Sequence, residues 1–142
     1  MPQVVRQSVF ETNSSSTHSI TIKGGKFVSS KFPTEGGICK VYPDKFRWNQ
    51  EWFRDPATKA SYCLTYAKQV EDPKLLEMLR KLLADTTGCE VDFVEEDDEY
   101  SPWGDIDHQS CGVCGEAFES EEALHKFIFN PSSVLKIDND NH

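Results

Sequence analysis

Asp55-Pro56 and Asp72-Pro73 constrain this fold more than any other feature, because each sets an acceptor side chain directly before a proline and so marks a helix start. The aspartate takes up N–H groups of the first turn, and proline fits the first helical position because its missing N–H would have no partner there. Behind the first start, Ala60, Cys63, Leu64 and Ala67 recur at helical spacing. Behind the second, Leu75, Leu76, Leu79, Leu82 and Leu83 form an apolar stripe at i, i+1, i+4, i+7 and i+8, and Gly88 closes it. Two consecutive helices are expected in the middle of the chain.

Strand-like runs surround them. Val4, Val5, Val9 and Phe10 read as a first strand and Ser19–Lys23, alternating polar and apolar, as a second, with a polar turn making them a hairpin. Phe27-Val28 is a candidate short third strand, and Ile38–Tyr42 another, stopped by Pro43. The aromatic-rich run Phe46–Phe53 could line a groove or pack beneath the first helix, and the packing reading is favoured because aromatics bury large area. Cys89–Val94 alternates as a strand. Ser120 caps a last helix whose Glu121 and Glu122 suit its positive end and whose Leu124, Phe127 and Ile128 face inward. Asn130-Pro131 stops that helix, and Val134–Ile137 reads as a closing strand. The expectation is a single α+β domain over residues 1–142, an antiparallel or mixed sheet with about three helices packed on it.

Composition narrows the class. Nine Phe, four Tyr and three Trp within a 37% hydrophobic chain of 142 residues support a folded core. No apolar run approaches the roughly 18 residues of a membrane span, and no basic-then-apolar leader opens the chain, so a cytoplasmic protein is expected. Five cysteines, Cys39, Cys63, Cys89, Cys111 and Cys114, make a poor disulfide framework, and Cys63 is expected as a small buried hydrophobe. The net charge of -9 is unevenly spread: no Lys or Arg occurs from Leu82 to His125, a segment with fourteen acids, while the remainder has ten acids against fifteen bases. Such a field repels phosphates and attracts cations or a basic partner; a solvated loop that keeps the chain soluble is the plainer reading.

Two polar segments carry the candidate chemistry. Asn13-Ser14-Ser15-Ser16-Thr17-His18-Ser19 concentrates hydroxyls beside a histidine, and Asp107-His108-Gln109-Ser110 runs directly into Cys111-Gly112-Val113-Cys114. A hydrolytic or phosphate-handling site would use Ser15 or Ser16 as nucleophile, His18 or His108 as base and Asp107 as its orienter, with Asn13, Ser14, Gln109 and Ser110 binding the ligand. Against this, Asn and Ser side chains bond their own backbone to hold tight turns, and Asp107 would cap a loop. Cys111 and Cys114 have the spacing with which two thiolates grip one zinc ion, and His108 and His125 are the candidate further ligands of a C-terminal zinc knuckle within the acidic 95–115 loop. An unliganded thiol pair is the alternative. Redox chemistry lacks its usual βαβ setting. The zinc and triad readings compete for His108.

Arg6–Ile20, with its Phe-Glu-Thr-Asn-Ser-Ser-Ser-Thr-His-Ser core, resembles the N-terminal signature of a family of small uncharacterised proteins of bacteria and their phages. Ile106-Asp107-His108-Gln109-Ser110 and Phe127-Ile128-Phe129-Asn130 resemble later segments of that family. The resemblance implies a phage or bacterial intracellular origin and a shared site, and transfers no activity. Two functions follow as expectations. The first is an accessory protein that binds a basic protein partner, such as a host defence enzyme it inhibits or modulates; the second is the hydrolytic or phosphate-handling enzyme. Direct nucleic-acid binding is disfavoured for want of a basic cluster.

Overall fold

Both Asp-Pro pairs start helices in the computed structural model, which describes residues 16–46, 51–95, 105–106 and 113–139. Asp55 caps α1 (Pro56–Gln69) by accepting the Thr58 N–H at 2.8 Å, and Asp72 caps α2 (Pro73–Thr87) by accepting the Lys74 N–H at 3.0 Å. Gly88 ends α2 at φ 70°, in the left-handed region that costs a Cβ-bearing residue, and its N–H reaches the Ala84 carbonyl at 2.8 Å. Ser120 caps α3 (Glu121–Phe129) through the Ala123 N–H at 3.0 Å.

α1 and α2 differ in kind. α2 is amphipathic, burying Leu79, Leu82 and Leu83 while its other face meets solvent. α1 is enclosed nearly all round, with Lys59, Ala60, Ser61, Tyr62, Cys63, Leu64, Thr65 and Ala67 all buried. Its many small side chains allow α2, α3, a 3-10 helix (Val113–Glu119) and the strands to approach it closely. Its polar side chains must then be satisfied internally, since an unpaired buried polar group costs about 1–3 kcal/mol. Thr65 donates to the Ser61 carbonyl at 3.0 Å and Ser61 to the Tyr42 carbonyl.

The described strands form three small sheets instead of the single one expected. β1 (Ser16–Thr21), β7 (Val134–Asn139) and β4 (Glu51–Phe53) make an antiparallel sheet with β7 central. β2 (Ile38–Val41) pairs in parallel with β5 (Glu90–Phe93), and the two-residue β3 (Lys45–Phe46) with β6 (Asp105–Ile106). Parallel partners need a long crossover, and α1 and α2 supply it between β2 and β5. In the antiparallel sheet Ile137 lies opposite His18, and Leu135 lies between Ile20 on one side and Phe53 on the other, all on the face turned toward the helices. Ser19, Lys136 and Trp52 share the outer face.

Several expectations change. The expected strand Val4–Phe10 and the Asn13–Ser15 part of the expected Asn13–Ser19 turn lie outside the described residues; the Ser16–Ser19 part is not a turn but extended strand in β1, which finds a described partner in β7, from the far end of the chain. Phe27-Val28 is no strand: Val28 is 87% exposed, while the Phe27 ring packs 5.6 Å from the His125 ring. Trp52 does not pack beneath α1 but stays 55% exposed, with the Lys136 ammonium 5.0 Å and the Arg54 guanidinium 5.7 Å from its ring centre. Val113-Cys114 opens the 3-10 helix, where a metal-gripping turn was expected. No helix among the described residues is long and apolar enough to cross a membrane.

Candidate functional site

Lys59, Tyr62, Cys63 and Tyr66 recur at i, i+3, i+4 and i+7 and so share one face of α1. Three other elements bring polar or sulfur groups onto that face. β1 brings His18, whose Nδ1 lies 2.9 Å from the Tyr62 hydroxyl with the rings 5.9 Å apart. His18 is only 3% exposed and Tyr62 fully buried. The imidazole is thus enclosed among core residues, with its Nδ1 at the Tyr62 hydroxyl. The 3-10 helix brings Cys114, whose thiol approaches that of Cys63 at 3.5 Å, and beside it Phe118 stacks on Tyr66 at 5.9 Å. Burial foremost, then the Cys63 thiol, pushes the Cys114 thiol well above its ordinary value, so the Cys114 sulfur stays protonated near neutrality.

The turn after α3 supplies the third contribution. The Lys59 ammonium, wholly buried, donates to the Asn130 and Ser133 carbonyls at 3.0 Å each. It thereby sits at the C-terminal end of α3, where the helix dipole is negative, and lies 5.8 Å from the Phe127 ring centre. Burial pulls its pKa down to about 8, partly offset by the Asp55 carboxylate. Around it Asn130 donates to the Lys23 carbonyl at 2.8 Å, the Lys23 N–H reaches Ser133 Oγ at 2.9 Å, and Ser133 Oγ donates to the Lys126 carbonyl at 2.7 Å. These bonds tie the end of the first strand, the central helix and the α3–β7 turn together.

The residues singled out in the sequence distribute as follows. Asn13, Ser14, Ser15, Asp107, His108, Gln109, Ser110 and Cys111 lie outside the described residues, and Ser16 is described only as backbone in β1. His18 meets Tyr62 beneath the sheet. Cys114 faces Cys63, whereas the His125 ring sits between Phe27 at 5.6 Å and Phe129 at 5.3 Å. Among the described residues no group of three or more His, Cys, Asp or Glu side chains is arranged to hold a metal.

Sequence reasoning missed Lys59, Tyr62 and Ser133, and took Asn130 as a helix stop and as part of a resembling segment, with no role in a site. The sequence carried little signal for the first two: Lys59 and Tyr62 interleave with the apolar Ala60, Cys63 and Leu64 on a helix where Thr58, Ser61 and Thr65 mix polar groups among the apolar ones and mark no single buried face.

Two open concavities are lined by described residues. One, of about 280 Å³, is lined by Lys40, Tyr42, Asp44, Thr58 and Ser61, and the other, of about 360 Å³, by Ser29, Ser30, Lys31, Thr86, Thr87 and Cys89. His18 and Cys114 line neither. Tyr42 donates to Glu35 at 2.7 Å, and that bond, more than burial, raises the phenol's pKa. The acidic residues between Leu82 and His125 whose side chains are described, Asp85, Glu90, Asp92, Glu95, Glu116, Glu119, Glu121 and Glu122, are all exposed. Comparison with protein-family models, curated proteins and solved structures finds no match to this chain.

Proposed function

We propose that this is a small accessory protein, of phage or bacterial origin, that acts by binding a basic protein partner through its acidic surface. The observation that carries this reading is the solvent exposure of those eight carboxylates within a segment devoid of Lys and Arg. Two of them meet basic side chains that lie just outside it: Glu122 bonds Lys126 at 2.6 Å and Glu121 lies 3.7 Å from Lys81. A patch of one sign raises the encounter rate with a partner of the other, and the effect weakens as salt shortens the screening length from about 10 Å at 0.1 M to about 3 Å at 1 M. The enclosure of His18 supports this reading over hydrolysis, since a general base must come within hydrogen-bond reach of its substrate.

The test is capture of partners from a bacterial extract at graded ionic strength, with the wild type and a variant carrying Glu90→Gln, Asp92→Asn, Glu116→Gln and Glu119→Gln. The expected result is a basic protein held at low salt, released at high salt and lost by the variant. Capture that ignores both salt and the substitutions would overturn the reading.

A further inference from the structure

We infer that Cys63 and Cys114 are a disulfide-forming pair which, on exposure to a disulfide oxidant such as oxidised glutathione, joins α1 covalently to the 3-10 helix. Their sulfurs are 3.5 Å apart, both are free thiols, and both residues are buried, at 0% and 1% exposure. The bond requires the sulfurs to close to about 2.05 Å. The 3-10 helix is the element that gives, because its hydrogen-bond geometry is poorer than that of α1 and short 3-10 segments are readily remodelled.

The chemistry balances without any further reactant. One cysteine loses its proton and attacks a sulfur of glutathione disulfide, expelling one glutathione thiolate, which takes up the proton. The second cysteine, likewise deprotonated, attacks the mixed disulfide and expels the other glutathione, so two protein thiols are oxidised while one small disulfide is reduced to two thiols. Both sulfurs are enclosed, so the first step passes through local opening of the 3-10 helix and is slow beside an exposed cysteine. The second step is intramolecular.

The closed loop holds all of α2 and the chain that leads from it to the 3-10 helix, so oxidation constrains the unfolded chain over a long span. A loop of that length raises the thermal midpoint by about 10 °C. In the folded protein the bond pins the 3-10 helix, and with it Glu116 and Glu119, onto the central helix.

The experiment is incubation of the full chain with oxidised glutathione, followed by alkylation of remaining thiols, intact mass measurement and non-reducing peptide mapping. The expected product is lighter by two hydrogens, carries no glutathione, links the Cys63 and Cys114 peptides, melts about 10 °C higher and reverts with dithiothreitol. Cys63→Ala and Cys114→Ala each abolish the link, and a Cys39→Ala, Cys89→Ala double variant keeps it. If the single variants do not fold, the wild-type map decides alone. A Cys111 to Cys114 or Cys39 to Cys89 link would overturn the assignment. So would glutathione adducts without an internal bond, thiols that survive prolonged incubation intact, or one equivalent of zinc that shields Cys63 and Cys114 from alkylation.

Discussion

Lys59 shows how one side chain sets the balance between cost and order in this core. Its ordinary value is 10.5, and burial lowers it to about 8 in the folded chain. Between those values the unfolded chain still holds a proton that the folded chain has released, so this group's contribution makes stability rise with pH across that window and leaves it flat below. The thiol of Cys39 works the other way, since burial and its neighbour Cys89 raise it from 9.0 to about 11 and stability falls as the unfolded thiol ionises. The two effects separate in a comparison of variants: relative to Lys59→Met, the wild type gains about 1 kcal/mol between pH 8 and pH 9 in urea unfolding. A parallel pH dependence in both proteins would show that Lys59 does not titrate in the fold. At the His18–Tyr62 contact, Tyr62→Phe removes a buried hydroxyl from an imidazole 2.9 Å away and is expected to cost about 1–3 kcal/mol, read from the urea midpoint at pH 7. A loss below 0.5 kcal/mol would mean the contact contributes little. That His18 would be a core group was not legible in the sequence: its neighbours are hydroxyl side chains, and only the β1–β7 register, a contact between distant parts of the chain, turns it inward.

At the level of elements, what was written locally in the sequence is what could be read. All three α-helices were recognisable because capping is a short-range interaction: Asp55, Asp72 and Ser120 each accept an N–H two or three residues ahead. Ser120→Ala is therefore expected to lower stability by about 1 kcal/mol, and Gly88→Ala by a similar amount because φ 70° penalises a Cβ. Equal thermal midpoints for wild type and Ser120→Ala would refute the cap's contribution. β2, β5 and β7 were legible as strands, β5 from its alternation and β2 and β7 as short apolar runs bounded by breakers, whereas their pairing was not. β7 joins β1 and β4 from more than half the chain away, and the parallel β2–β5 pair depends on how α1 and α2 pack. β4 escaped because three residues carry too little pattern, and Trp52 in it faces solvent under two cations instead of filling the core. The 3-10 helix escaped because Cys-Gly-Val-Cys reads as a ligand turn, and the Cys114 contact with Cys63 on α1 joins residues far apart in the chain. The Phe-Ile-Phe-Asn segment was singled out as part of a resemblance; the structure gives it a physical role, three buried side chains followed by the Asn130 turn around Lys59.

Over the whole molecule the polar groups divide by function. Those turned inward, His18, Lys59, Tyr62, Asn130 and Ser133, pair among themselves and fix how β1 and the α3–β7 turn meet α1. Those turned outward between Leu82 and His125 are uniformly acidic among charged residues, and it is through them that the proposed function would meet a partner. The charge segregation was legible at once, because it needs no fold to be counted. The closed character of the inner site was not, since it rests on contacts between residues as far apart as His18 and Tyr62 or Lys59 and Ser133. The most direct test sets the two groups against each other by measuring partner capture for Tyr62→Phe beside the Glu90→Gln, Asp92→Asn, Glu116→Gln, Glu119→Gln variant, with thermal midpoints taken on the same samples. The account predicts that Tyr62→Phe melts lower yet captures the partner as the wild type does, while the acid-neutralised variant keeps its midpoint and loses the partner. Loss of capture by a folded Tyr62→Phe protein, with capture retained by the neutralised one, would place function in the inner site and contradict the account.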